Sequence, residues 1–286
     1  MPALPDGKAG EVLEHAITAA GGWDRWVAVR DVSYVSVMTI TDPVRMLASD
    51  SIGWFTAPLH GGVLARMEAM GLPHEVLTGI DAGETWILSN GRPITEPTQL
   101  AMTRFEMLSS LFWFSLPFRL AEGQSQVTYV GTVRGPAGEH WDKLKAVFPA
   151  SELAAPGEWF VLYINRATGL IDQVHCKLSA PFLSHNLWVG QWRYYRDCDG
   201  IQKERQRQFY PANDDGEIVG AMIAEQFIER VHFNNGYTAQ HFRRPAATHS
   251  TPVRSPADPA ERFLPAYPKP QGGTLSPAGF SLSHGG

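Results

Sequence analysis

The sequence predicts a mainly β protein: a meander of antiparallel strands whose apolar face must curl or be covered by helices. Three observations carry this. After residue 125, short apolar runs recur at hairpin spacing between turn signals. The 9 Trp, 8 Tyr and 14 Phe in 286 residues fall largely in short alternating runs, as half-buried strands prefer. Helical periodicity is confined to the first 115 residues.

In chain order, Val12, Leu13, Ala16, Ile17 and Ala20 recur on one helical face over residues 9–20, and Gly21-Gly22 stops that helix. Trp23 to Val29 reads as a second helical turn capped by Asp24, with Trp23 and Trp26 on one face to pin the pair onto a sheet. Val32 to Ile40 is the first strand, broken at Asp42-Pro43, and Met46 to Phe55 the second. Val63 to Met70 is helix-like. Val76–Ile80 and Thr85–Ser89 are extended, and Asn90-Gly91 is a strong turn signal. Pro97 to Phe114 is the best helix, capped by Thr98, apolar on nearly every side and ended by Pro117. The strands then run 127–133, 141–148, 159–164, 169–178, 188–196, 203–210 and 224–233. From Arg243 the last 44 residues hold 8 of the 21 prolines and no periodic pattern. They read as an extended tail after a body of residues 1–242, with Phe263, Tyr267 and Phe280 as anchors and tail exchange in a homodimer as the arrangement that offsets the entropy of ordering it.

Composition narrows the function classes. Lys and Arg number 24 against 29 Asp and Glu, a net charge of −5, which disfavours general nucleic-acid binding. The run Lys203-Glu204-Arg205-Gln206-Arg207 is interrupted by acid and reads as the solvated face of a strand. Two cysteines, Cys176 and Cys198, exclude a disulfide-dense scaffold and a Cys-rich zinc site, and reduced thiols are the simpler reading. The first residues carry no apolar signal core and no apolar run approaches 18 residues, so the expected location is cytoplasmic and no transmembrane helix is expected. Dinucleotide, P-loop and nucleophile-elbow fingerprints are absent from the sequence.

Several phrases, in order, resemble one family. They are Ala20-Gly21-Gly22-Trp23-Asp24-Arg25-Trp26, Phe112 to Leu120, Tyr129-Val130-Gly131, Trp141 to Phe148, Tyr163 to Ile171, and Val231-His232-Phe233-Asn234-Asn235. Together they resemble the larger bacterial members of the lipoprotein-carrier-like superfamily, the LolA and LolB-like fold, over about residues 10–245. The resemblance implies a strongly curved antiparallel sheet, an incomplete barrel, with helices covering the concave face. It also implies lipid or acyl chains held in the cavity.

The function expected first is therefore binding of a hydrophobic or aromatic small molecule in a half-barrel cavity. Its lining would draw on Trp54, Phe112, Trp113 and Tyr163, with Arg104 and Arg193 to hold a carboxylate or phenolate. The alternative is a cofactor-free biosynthetic enzyme, a cyclase, isomerase or dehydratase. There, His60 in a glycine loop, His175 on a strand and Glu106 on the covering helix would do acid–base work. The third reading is a structural or interaction protein with a filled interior. Ten histidines invite a metal, but no His-Glu-x-x-His or His-x-His spacing occurs, so neither metal nor cofactor is expected.

Overall fold

The computed structural model describes residues 2–42, 47–72, 74–123, 125–148, 158–178, 180 and 183–246. Residues Met1–Thr248 form one compact unit, whose architecture follows. The tail expected after residue 242, its three aromatic anchors and any exchange of it between subunits lie outside the described residues, apart from Arg243 to Ala246.

The chain opens with α1 (Lys8–Ala19) and α2 (Trp23–Ala28). Val12, Leu13, Ala16 and Ile17 are buried, as the period required, and each aliphatic side chain so buried contributes roughly 1.5–3 kcal/mol. Gly21 sits at φ +121°, where an added Cβ would stand 2.3 Å from the Gly200 carbonyl oxygen. That close approach docks the helical hairpin onto the segment that carries Lys203. Trp26 is fully buried and stacks on Phe118 at 4.4 Å, so it pins the hairpin to the helix that begins there, where a sheet had been expected.

Among the described residues, six strands precede and nine follow a central helical insert, and thirteen of these fifteen form one sheet. The first block is β1 (Asp31–Asp42), β2 (Leu47–Pro58), β3 (Ala65–Ala69), β4 (Val76–Asp81), β5 (Glu84–Ser89) and β6 (Arg92–Ile94). Helices α3 (Pro97–Ser115) and α4 (Phe118–Ala121) follow. The second block is β7 (Gln126–Arg134), β8 (His140–Val147), β9 (Trp159–Asn165), β10 (Ile171–Lys177) and β11 (Leu187–Arg193). A small separate hairpin, β12 (Arg196–Cys198) and β13 (Ile201–Lys203), precedes β14 (Gln206–Pro211), β15 (Ala224–Phe233) and the short α5 (Ala239–Phe242).

The large sheet has 13 strands in the order β6-β5-β4-β3-β2-β1-β15-β14-β11-β10-β9-β8-β7. This corrects the expected strongly curved incomplete barrel: the sheet is open, with β6 and β7 as its two edges. The first and last strands, β1 and β15, pair in its middle, from Val32 opposite Phe233 to Ile40 opposite Ala224. Closure would require β6 to pair with β7, and these are the neighbours that the α3–α4 insert separates. Both edges resist further pairing. Edge strand β6 is three residues long and contains Pro93, while β7 carries a register break between Tyr129 and Thr132.

Two local expectations also give way. Val63 to Met70 is not helical; Ala65–Ala69 forms β3, paired with β2 and β4. The cap of α3 is Glu96, whose carboxylate accepts from the backbone N–H groups of Thr98 and Gln99 at 2.9 and 2.6 Å; Thr98 lies one step inside. The turn at Asn90-Gly91 forms as read, with φ +49° and +70° at its two residues.

The C-terminal segment is fastened by one carboxylate. Asp31 accepts from the backbone N–H groups of Asn235, Gly236 and Tyr237. Beyond it, His241 Nε2 lies 3.0 Å from Thr56 Oγ1, and Arg66 donates to the His241 carbonyl. Burial, and then the nearby Arg66 cation, lower the His241 pKa from 6.5 to about 4, against the pull of Asp31. Between those values the unfolded chain binds a proton that the folded chain refuses. The contribution of His241 is therefore complete above pH 6.5 and is lost as pH falls towards 4. Thermal midpoints of wild type and His241→Gln, measured from pH 7 to pH 4.5, should show a steeper acid decline in wild type. Parallel curves would mean that this imidazole does not hold the segment.

Candidate functional site

Helix α3 crosses the apolar face of the sheet, and a cavity of about 200 Å³ lies beneath its stretch from Met102 to Trp113. On the helix side the lining comes from Met102, Phe105, Glu106, Ser109, Ser110 and Trp113. Positions 102, 106, 109 and 113 follow the 4-3-4 spacing that places side chains on one helical face. On the sheet side, Met38, Ile40 and Asp42 alternate along β1. Register then fixes their neighbours: Gln226 lies opposite Met38, Ala224 opposite Ile40, and Phe209 opposite Ala224. Trp188 on β11 and Ile223, which precedes β15, extend the wall.

Trp113 anchors the inner end. Its ring lies 5.0 Å from Phe112, 5.6 Å from Phe160, 5.5 Å from Trp192 and 6.2 Å from Phe209. The first three are edge-on, a favourable geometry for aromatic packing, and the contact with Phe209 is tilted. Glu106 is the polar exception on the helix side. No hydrogen bond or ion pair reaches its carboxylate among the described residues, and burial alone raises its pKa above 4.5. Its neighbour Arg104 turns away and donates to the Gly83 carbonyl at 2.7 Å. Gln226 presents its stem to the cavity, while its amide is taken: Oε1 accepts from Arg207 and Nε2 donates to Ser36 Oγ.

Of the residues expected at a site, Glu106 and Trp113 line this cavity. Phe112 is buried beside it, against Phe148 and Phe160. His60 sits outside it, with Nε2 3.3 Å from the Trp26 carbonyl and its ring edge-on to the Trp26 indole. Trp54 has the opposite strand parity from the core residue Phe55 and lies 6.5 Å from His232. Tyr163 and His175 share the other face of the sheet. There, Trp159 packs edge-on against His175 at 4.8 Å and Trp141 against Tyr163 at 5.5 Å. Contrary to its expected solvent exposure, His175 is 3% exposed. Burial lowers its pKa, and its Nε2 has no partner among the described residues. Arg193 is exposed and donates to Gln191. Among the lining residues that sequence reasoning missed are Met38, Ile40, Phe209, Ile223 and Ala224. The alternation of β1 and β15 contained the signal, but the shared register that brings their faces to one cavity did not show.

The interior also holds charge where solvation was expected. Lys203, Glu204 and Arg207 are 1, 2 and 0% exposed, which corrects the solvated-face reading; Arg205 alone of the four charges stays exposed. Cys176 and Cys198 are buried free thiols, and burial pushes both pKa values up. Among the described residues, no group of three or more His, Cys, Asp or Glu is placed to hold a metal ion, and no helix is long and apolar enough to cross a membrane.

Two functional expectations fall with the half-barrel. Neither ligand binding in a half-barrel cavity nor a cyclase, isomerase or dehydratase built in one has its container in an open sheet. The filled interior expected of a purely structural protein meets the cavity beneath α3.

No protein-family model matches the chain, and no curated protein matches it. Solved structures do. A LolA superfamily protein from Nitrosomonas europaea is 9% identical, with 84% of this chain and 99% of that one covered at a TM-score of 0.54. A DUF1329 family protein from Desulfovibrio piger is 11% identical, covering 85% and 100% at 0.51. A putative outer membrane lipoprotein-sorting protein domain from Vibrio parahaemolyticus is 10% identical, covering 81% and 94% at 0.49. The expected cytoplasmic location does not stand: it rested only on the lack of an apolar signal core and of a long apolar run, and the solved structures that share the fold include a LolA superfamily protein. At these identities the likeness is one of architecture, and on that ground the chain has the fold of the LolA and LolB-like proteins.

Proposed function

We propose that this protein binds a hydrophobic small molecule in the cleft between α3 and the open sheet, as a carrier at the cell envelope. One observation carries the reading: a cavity of about 200 Å³ stays open under α3, in an interior that elsewhere interdigitates aromatic rings. Well-packed cores leave few voids larger than a water molecule, so a built apolar cavity with few polar groups is the default binding site. The fold shared with a LolA superfamily protein supports a carrier role and a place in the envelope.

The test is native mass spectrometry of the full chain purified from its own host, paired with titration by an environment-sensitive apolar dye. A bound mass released on denaturation, and one dye site per chain, are expected. Ser109→Phe places a ring in the cavity from the solvent-tolerant middle of α3, where Ser109 is half-buried and donates only to the Glu106 backbone carbonyl. It should remove the dye site while the thermal midpoint stays near wild type. Dye binding untouched by Ser109→Phe, or no dye site at all, would overturn the proposal.

A further inference from the structure

We infer that the cavity selects amphiphiles whose polar end is an alkylammonium, and that Glu106 is the residue that sets this selectivity. The inference rests on the binding reading above and adds the ligand's chemical class.

Among the described residues the lining contains two carboxyl groups, Asp42 and Glu106, and no Lys, Arg or His; Asp42 is already engaged, which leaves Glu106. The described cations nearest Glu106 in the sequence and in the core are committed elsewhere. Arg104 donates to the Gly83 carbonyl on the β4–β5 turn. Lys203 donates to the Phe114 carbonyl, and Arg207 is held by Glu204 and Gln226. An anionic headgroup brought to Glu106 would meet a carboxylate and, among the described residues, no basic partner. A fatty acid or a phosphate ester is thus disfavoured twice, by desolvation and by like charge.

Glu106 provides the complementary attraction. It stands midway along the stripe Met102, Glu106, Ser109, Trp113, in a mainly apolar wall, and no protein group reaches its carboxylate among the described residues. An ionised carboxylate left alone in an apolar setting is costly, and an isosteric apolar residue would serve the packing of α3 better. An ammonium delivered by a ligand supplies the missing partner. It forms a charge-assisted hydrogen bond in a medium where such bonds are stronger than in water. The alkyl chain then runs along Ile40, Phe209 and Trp113. Met102, 40% exposed, stands at the outer end of the same stripe, one turn from Glu106, which places the acid between entrance and depth.

Octylamine, octan-1-ol and octanoate share a chain and differ in the polar end. Their binding to the full chain at pH 7, followed by calorimetry at submicellar concentration, separates the contributions. Octylamine should bind about tenfold or more tighter than octanoate. Glu106→Gln should weaken octylamine about tenfold, to the level of octan-1-ol, and leave octan-1-ol within about twofold. Octanoate binding as tightly as octylamine to the wild type would overturn the inference without any variant. Octylamine affinity unchanged by Glu106→Gln would overturn the role of Glu106. If octan-1-ol also fails to bind, the cavity is not a binding site and the proposal above falls as well. Octan-1-ol binding without discrimination between amine and carboxylate sinks the selectivity alone.

Discussion

Glu204→Gln is expected to destabilise the protein by about 3–5 kcal/mol, the usual cost of leaving buried charge uncompensated. Glu204 Oε1 accepts from both Nε and Nη2 of Arg207, and Oε2 lies 3.6 Å from Lys203 Nζ. The same Nζ donates to the Phe114 and Leu116 carbonyls at the end of α3 and sits 4.5 Å over the Phe114 ring. Arg207 reaches onward to Gln226, and Gln226 to Ser36. One carboxylate thus balances two cations that together tie the covering helix to the sheet. The glutamine keeps one acceptor and loses the charge, so both cations remain in the core against nothing. For a unit of this size the fall in Tm should be on the order of 6–20 °C. Lys203→Met should cost less, because Glu204 and Arg207 remain as a neutral pair.

The pH dependence identifies the mechanism. Burial lowers the Lys203 pKa, and Glu204 opposes that. A lysine whose folded pKa is depressed makes stability rise with pH between its folded and unfolded values, since the unfolded chain then holds the extra proton. Without Glu204 that rise begins at lower pH. The deficit of Glu204→Gln should therefore narrow as the medium becomes alkaline. A variant within about 1 kcal/mol of wild type at neutral pH, or a deficit independent of pH, would show that the triad does not carry the attachment of α3.

The same segment shows where sequence reasoning reached its limit. Lys203-Glu204-Arg205-Gln206-Arg207 has the alternating charge of a solvated strand face. Its burial follows from a break between β13 and β14 that lets Arg207 fold back on Glu204, together with α3 carbonyls that arrive from about ninety residues upstream. Long-range satisfaction of this kind leaves no local signature. By contrast, most strands of the meander were legible, because alternation and turn residues such as Asn90-Gly91 act locally. The strand at Ala65–Ala69 was not: Val63, Met67 and Met70 fit a helical period as well as a half-buried strand. Openness was illegible for a different reason. Hairpin spacing specifies which neighbours pair, whereas closure depends on whether β6 meets β7, and that is decided by the tertiary placement of the α3–α4 insert between them. At the candidate site, Glu106 and Trp113 could be read as residues of the covering helix, although its apolar residues on nearly every side hid the face they share. The opposing wall could not, because it needs the register that sets Ile40 beside Ala224 and Ala224 beside Phe209.

Trp113→Ala should produce a loss of similar size, about 3–5 kcal/mol, by a different mechanism. The indole is 5% exposed and joins α3 to three strands through Phe160, Trp192 and Phe209. Truncation removes the transfer free energy of the ring and its edge-on contacts. It also leaves a void continuous with the cavity under α3, because the surrounding aromatics are held by separate strands and cannot all close in. The void is apolar, and such spaces take up benzenoid ligands. Added indole should then raise the Tm of Trp113→Ala more than that of wild type, in proportion to the logarithm of its concentration above Kd. Trp113→Phe, which keeps a ring in the cluster, should lose less than the alanine variant and gain less from indole. That ordering separates loss of packing at the cavity wall from general damage to α3: a helix that had simply detached would be rescued by neither ring. Equal indole stabilisation of all three proteins would place the indole elsewhere. A Trp113→Ala variant as stable as wild type would mean that the inner wall of the cavity is not what fixes α3 to the sheet.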